Sequence, residues 1–141
     1  MDDGSGALSG ARRVRCVGAL VHDDQGRLLV VLRAHDPGAG QWSIPGGRVE
    51  PGESDPVAVA REVREETGLV VAVGDLVGSV ERDGLGGSVY DIHDYAATYV
   101  SGDLAAASDA ADARWVTAAE LARLPYTPGL LDTLRHWRML S

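Results

Sequence analysis

A chain of 141 residues with 45% hydrophobic and 24% charged content has the size and make-up of one globular domain, set against ~150 residues per domain, and excludes a second catalytic domain. Thirteen basic against twenty-one acidic residues leave a formal charge of −8, which excludes a basic face wrapped by long nucleic acid. A small phosphorylated ligand must then meet local arginines, backbone N–H groups or a bound metal ion.

Every basic residue is arginine, which removes lysine-based Schiff-base and Walker-type phosphate chemistry. The single cysteine, Cys16, lies in an apolar stretch and reads as a small core residue. No window approaches the ~18 apolar residues of a membrane span, and the first residues carry neither a basic nor an apolar region. The expectation is a soluble cytoplasmic chain with no membrane partner.

Residues 1–11 are rich in Gly, Ser and Asp and read as a disordered tail before a single domain over 12–141. From Val14 to Val21 apolar residues occupy both parities, as a strand covered on both faces requires. Asp23 to Gly26 reads as a turn and Leu28 to Leu32 as the hairpin partner. Ala34 to Gln41 is a loop, Trp42 to Ile44 a short extended piece, and Arg48 to Gly52 a second loop after Pro45-Gly46-Gly47. Ser54 as N-cap, Pro56 in the first turn and Gly68 at the end delimit a helix of about four turns. Leu69 to Val80 and Val89 to Val100 read as strands joined by a glycine hairpin at 83–87, followed by a strand over Ala113 to Val116. Thr117 with Glu120 forms a capping box for a helix to about Leu124, and Thr127-Pro128 opens a last helix with Leu131, Leu134 and Met139 inward. This order predicts a mixed sheet with helices on two sides.

At 100° per residue, Glu62, Glu65 and Glu66 fall on one face of the first helix, with Leu69 at its edge, while Val59, Ala60, Val63 and Thr67 form an apolar stripe. Arg61 lies four residues before Glu65 and can pair with it. On a solvated helix such acids repel by only ~0.2–0.5 kcal/mol. In a cleft, at ~5.5 Å and an effective dielectric near 20, the figure is ~3 kcal/mol per pair, which a divalent cation would reverse. The glycines of Pro45-Gly46-Gly47 and Pro51-Gly52-Glu53 let backbone approach a ligand closely beside this helix.

Gly47-x5-Glu53-x7-Arg61-Glu62-Val63-Arg64-Glu65-Glu66-Thr67-Gly68-Leu69 resembles the complete signature of the Nudix (MutT-type) hydrolases. The lead-in Trp42 to Gly46 and the later Asp112 to Val116 are similar to common Nudix surroundings. The resemblance implies an α/β/α sandwich with a mixed β-sheet. It also implies hydrolysis of the pyrophosphate linkage of a nucleoside diphosphate-X substrate with Mg²⁺ or Mn²⁺. By position, Glu62, Glu65 and Glu66 resemble the metal ligands, joined by the carbonyl of Gly46. Arg61 resembles the arginine that orients a glutamate, and Glu53 a supporting acid. The general base stays open among Glu62, Glu66, Asp109 and Asp112.

Around this centre, Arg33 and Arg48 are candidates for meeting a phosphate. Trp42 and Trp115 read as core. Tyr95 and His93 share one face of their strand, opposite Tyr90 and Asp94, and are candidates for substrate contact. The proline and tyrosine that mark ADP-ribose and dinucleoside polyphosphate enzymes in the resembled family are replaced by Leu85, Gly86 and Gly87. The expected substrate is therefore an oxidised or ordinary nucleoside triphosphate, with ADP-ribose or another nucleotide sugar as the alternative. A non-catalytic Nudix-fold nucleotide-binding module is the alternative of a different class; retention of Glu53, Glu62, Glu65 and Glu66 disfavours it. The sheet edge or the last helix with Trp137 leaves a homodimer open.

Overall fold

The computed structural model describes residues 12–105 and 110–140; the tail expected at 1–11 and Asp109 lie outside them. The strands are β1 (Arg13–His22), β2 (Leu28–Arg33), β3 (Trp42–Ser43), β4 (Gly46–Arg48), β5 (Val70–Asp83), β6 (Val89–Ser101) and β7 (Ala110–Val116). The helices are α1 (Asp55–Thr67), α2 (Ala118–Ala122) and α3 (Leu130–His136). One sheet runs β3-β2-β1-β6-β5, with β4 added to β1 and β7 to β2. The β1–β6 pair is parallel over its whole length and the others are antiparallel, so the sheet is mixed, as expected.

The double parity of β1 explains the layering. Val17, Ala19 and Val21 pack with Ala58, Val59 and Val63 of α1, while Leu20 packs with Leu121, Leu131 and Leu134 of α2 and α3. A strand covered on both sides cannot alternate apolar with polar residues. The result is the expected α/β/α sandwich, with α1 alone on one face.

Ser54 caps α1 by accepting from the Val57 N–H, and Gly68 closes it in the left-handed region with φ 76°, where a glycine carries no Cβ penalty. The apolar stripe is shifted from its expected position: Ala58 is buried and Ala60 only half-buried. Val59, Val63 and Thr67 are buried as expected.

Other boundaries move for local reasons. β5 runs on to Asp83 because the link to β6 is a single tight turn at Leu85–Gly87, and register shifts at three places along β5 let so long a strand twist. The helix after the capping box stops at Ala122, since Leu124 precedes Pro125 and is disfavoured in the helical region. The last helix starts at Leu130 rather than at Thr127, because Gly129 has φ 82° and cannot sit within a right-handed helix.

The loop that feeds α1 is pinned back to it. Arg61 donates to Glu53 through Nε at 2.7 Å and Nη2 at 2.9 Å, and to the Arg48 carbonyl at 3.0 Å. Glu53 in turn accepts from the Glu50 N–H at 2.9 Å. The hydrogen bonds from Arg61, then that from Glu50, hold the Glu53 carboxyl down to about 2.

Two outcomes follow from this packing. Leu134→Ala, at a fully buried site, lowers stability by ~2–5 kcal/mol in urea denaturation, whereas Leu85→Ala, at an exposed site, leaves it within ~0.5 kcal/mol. Glu53 has a depressed folded-state value, so its contribution is complete above the ordinary carboxylate range and is lost as pH falls toward about 2. The gap in urea midpoint between wild type and Arg61→Gln therefore narrows as pH drops from roughly 5 to 2.5; a gap that stays constant would show that the Glu53 contact contributes nothing.

Candidate active site

Glu62 and Glu66 lie one turn apart on α1, 8% and 6% exposed. Their carboxyls face one another closely enough to interact. The Glu66 carboxyl is pushed up by burial and then by the neighbouring Glu62 charge, while its bond from the Gly46 N–H pulls the other way. Burial likewise raises Glu62, against hydrogen bonds from Glu66 and Arg61. The pair lines a cavity of about 210 Å³ together with Gly46, Gly47, Arg33 and His35.

Glycine is needed on the opposite wall. A Cβ at Gly47 would run into the Glu62 carboxyl, and one at Gly46 into the Val17 carbonyl. β4 can therefore lie against β1, with Gly46 opposite Gly18 and Gly47 opposite Val17, and still leave room for the acids. The Gly46 N–H is 3.3 Å from Glu66 Oε1.

Glu65 behaves differently. It is half-exposed and accepts from Arg61 Nη1 at 3.0 Å, the same nitrogen that donates to Glu62 at 3.0 Å. Arg61 thus joins Glu53, Glu62 and Glu65 through one guanidinium. Among the described residues no three His, Cys, Asp or Glu side chains are grouped closely enough to hold one metal ion. Three acids were expected to converge; the structure brings two together and leaves the third on the arginine. Two buried carboxyls that face each other nonetheless form an all-oxygen donor set suited to a hard divalent cation, whose charge would offset theirs.

A second, larger cavity of about 680 Å³ adjoins the first. It lies between β1, β6 and β5 on one side and α3 on the other, with Ile44, Ile92, Leu134 and Trp137 in its walls. Arg33, Gly46 and Gly47 line both cavities, so the two adjoin along the Gly46-Gly47 backbone. Arg33 Nε donates to the Pro37 carbonyl at 2.6 Å, which fixes its direction. Arg48 lies over the Tyr90 ring at 5.8 Å and also lines the larger cleft.

The other candidates lie elsewhere. Tyr95 donates to Asp55 Oδ2 at 2.8 Å and packs against the α1-side core. His93 Nε2 is 3.2 Å from Asp91 Oδ1. Both are on the α1 face of β6, whereas Tyr90, Ile92 and Asp94, of opposite parity, face the cleft. The alternation along β6 was legible, but not which face meets α1. Asp112 pairs with Arg114 at 3.4 Å. Trp42 is buried beneath the Arg114 guanidinium, 4.7 Å from its ring centre, and Trp115 packs against the α1-side core, both as expected.

Comparison with known proteins agrees with this geometry. The NUDIX domain family matches residues 12–137. The chain is 31% identical over 129 residues to "CTP pyrophosphohydrolase" of Escherichia coli (strain K12), spanning 92% of this chain and 94% of that one. It is 40% identical over 109 residues to "Putative 8-oxo-dGTP diphosphatase 2" of Mycobacterium tuberculosis, spanning 72% of each. The fold superposes on the crystal structure of the MutT protein from Methanosarcina mazei Go1 with TM-score 0.80 and 28% identity, covering 91% of this chain and 94% of that one. A complete acidic signature on a capped helix, in a matching sandwich, has one reading: the chain belongs to the Nudix family and is a pyrophosphohydrolase, a hydrolase of phosphoric anhydride bonds.

Proposed function

We propose that this hydrolase cleaves nucleoside triphosphates, oxidised forms included, with Mg²⁺ or Mn²⁺ as its cation. The observation that carries the reading is the adjacency of the two cavities. An apolar cleft large enough for a nucleoside shares a wall of Arg33 and Gly46-Gly47 with the cavity of the buried Glu62–Glu66 pair. Apolar walls with a few convergent polar groups suit a base and sugar, and the acid end suits a pyrophosphate accompanied by cations. The names of the CTP and 8-oxo-dGTP relatives support a triphosphate over a nucleotide sugar.

Glu62 and Glu66, with the Gly46 carbonyl and with Glu65 once it leaves Arg61, would hold the cation. Such an ion supplies neutralisation of phosphate charge and activation of water. Arg61 keeps Glu62 and Glu65 oriented and ties Glu53 beneath them. Arg33 and Arg48 lie along the path from cleft to acids and meet phosphate oxygens as charge-assisted donors. His93 and Tyr95 have no part in substrate contact in this scheme, since they lie on the α1 face. The proton acceptor for the attacking water is one of Glu62, Glu66, Asp109 and Asp112.

Glu66→Gln keeps the shape and burial of the side chain, so its urea midpoint stays close to wild type while turnover falls by about a thousandfold or more. Near-normal turnover in the folded variant would exclude Glu66 from the machinery. In a panel of nucleoside triphosphates, oxidised analogues, ADP-ribose, NADH and dinucleoside polyphosphates, the triphosphates release pyrophosphate and a monophosphate only with Mg²⁺ or Mn²⁺ present, and chelator stops the reaction. Preferential release of AMP and a sugar phosphate would transfer the assignment to nucleotide sugars.

A further inference from the structure

One polar group in the larger cleft serves none of the chemistry above. Asp94 is 5% exposed and lines the cleft floor, and among the described residues its Oδ1 has no hydrogen-bond partner. Buried polar atoms without partners are rare in folded proteins; this one is turned in against Gly18, so the carboxyl meets a ligand by rotating about its terminal side-chain bond toward the cleft it lines. Burial pushes this carboxyl up to about 7, with the Arg82 charge pulling it down.

The seat is built around it. In the sheet Asp94 lies between Gly18 of β1 and Gly78 of β5. A Cβ at Gly18 would collide with Oδ1, and one at Gly78 with the Trp137 indole. One glycine makes room for the carboxyl and the other brings an aromatic ring down beside it. Arg82 lines the same cleft, and its cation favours the ionised carboxyl.

An ionised carboxylate presents two acceptors side by side. Among the common bases only guanine carries two adjacent donors on its Watson–Crick edge, the ring N1–H and the 2-amino group. Adenine and cytosine set one donor beside an acceptor, and uracil sets a donor between two carbonyls. Each of these turns a lone pair toward the carboxylate. A protonated carboxyl would pair with any of those three and select none of them, so discrimination comes from the ionised form. The flanking indole offers a surface against which a base can lie.

We propose that Asp94 is the specificity-determining residue of this enzyme, its carboxylate accepting the N1–H and 2-amino hydrogens of a guanine-type base seated in the cleft. Oxidation at the imidazole side of guanine leaves this edge unchanged, so ordinary and oxidised guanine nucleotides share the contact. The inference rests on the nucleotide-hydrolase reading for the orientation of the ligand, base in the cleft and phosphates toward Glu62 and Glu66.

The test compares GTP with ITP, which lacks only the 2-amino group, and with CTP. Wild type favours GTP over ITP by about tenfold or more in kcat/KM, as expected when one hydrogen bond to a buried charge is lost. Asp94→Asn, which replaces one acceptor with a donor, brings that ratio close to one while CTP turnover falls by less than about threefold. Asp94→Ser gives the same comparison where the amide disturbs folding, as judged by melting temperature. A folded variant that keeps the GTP preference overturns the inference, and so does a wild type indifferent to the 2-amino group. Equilibrium titration with GMP and IMP measures the same selectivity without turnover. Selective GMP binding, lost in Asp94→Asn, in a protein that hydrolyses no nucleotide would sink the hydrolase reading and uphold the role of Asp94.

Discussion

Two carboxyl groups buried against one another make the demand that the rest of the molecule answers. Bringing Glu62 and Glu66 out of water on adjacent turns of α1 is unfavourable for either charge, and burial accordingly raises both carboxyls above their ordinary range. Each nearby feature follows from that. Gly47 withholds a side chain that would displace Glu62, Gly46 offers its N–H to Glu66, and Arg61 supplies, among the described residues, the one cation paired with Glu62. The caps at Ser54 and Gly68 fix where the helix begins and ends, and so which side chains point at the β4 backbone. A helix registered one residue differently, with Val63 in the place of Glu62, would turn an apolar side chain toward the glycine loop, the acids toward solvent and Arg64 toward the core.

The sheet separates chemistry from recognition. β1 is apolar on both parities, so one strand backs α1 and its acids on one side and the α2–α3 layer on the other. The cleft belongs to the second side and the acid cavity to the first, and they adjoin at Arg33 and at Gly46 and Gly47, where the wall carries no side chains. This arrangement lets the residues that read a ligand, on β1, β5, β6 and α3, vary without touching the helix that carries the acids. In this chain the signature lies in α1 and its loop, whereas the cleft floor is made by strands outside it.

Local chemistry made much of this legible in the sequence. Capping residues need only their own backbone neighbours, so the ends of α1 and the Thr117–Glu120 box could be read directly. The two-sided burial of β1 follows from composition within one strand. What could not be read depended on partners distant along the chain. Alternation along β6 separates His93 and Tyr95 from Tyr90 and Asp94, but the assignment of faces is set by which parity of β1 meets α1 in a parallel pairing more than 70 residues away, Arg13 opposite Val89. Likewise a helical wheel groups the three glutamates. It does not reveal that β4 covers Glu62 and Glu66 while Glu65 is drawn to Arg61, because the wheel carries no information about what packs on it. The last helix is the intermediate case: Gly129 was visible in the sequence, but its left-handed conformation is set by the turn that carries the chain from Tyr126 beside Trp42 into α3.

The acidity of the whole chain belongs to the same account. A protein with a net charge of −8 repels a polyphosphate at a distance, and the arginines near the site do little to reverse that field. Arg61 is taken up by three glutamates, Arg33 is anchored to the Pro37 carbonyl, and Arg48 lies over Tyr90. On the proposed reading, attraction has to enter with the ligand, as divalent cations already associated with its phosphates, or through the apolar cleft proposed to hold the nucleoside. A ligand with phosphates but no base gains only the first, and one with a base but no phosphates only the second. For an anionic ligand the two attractions therefore have to act together against the overall charge of the chain.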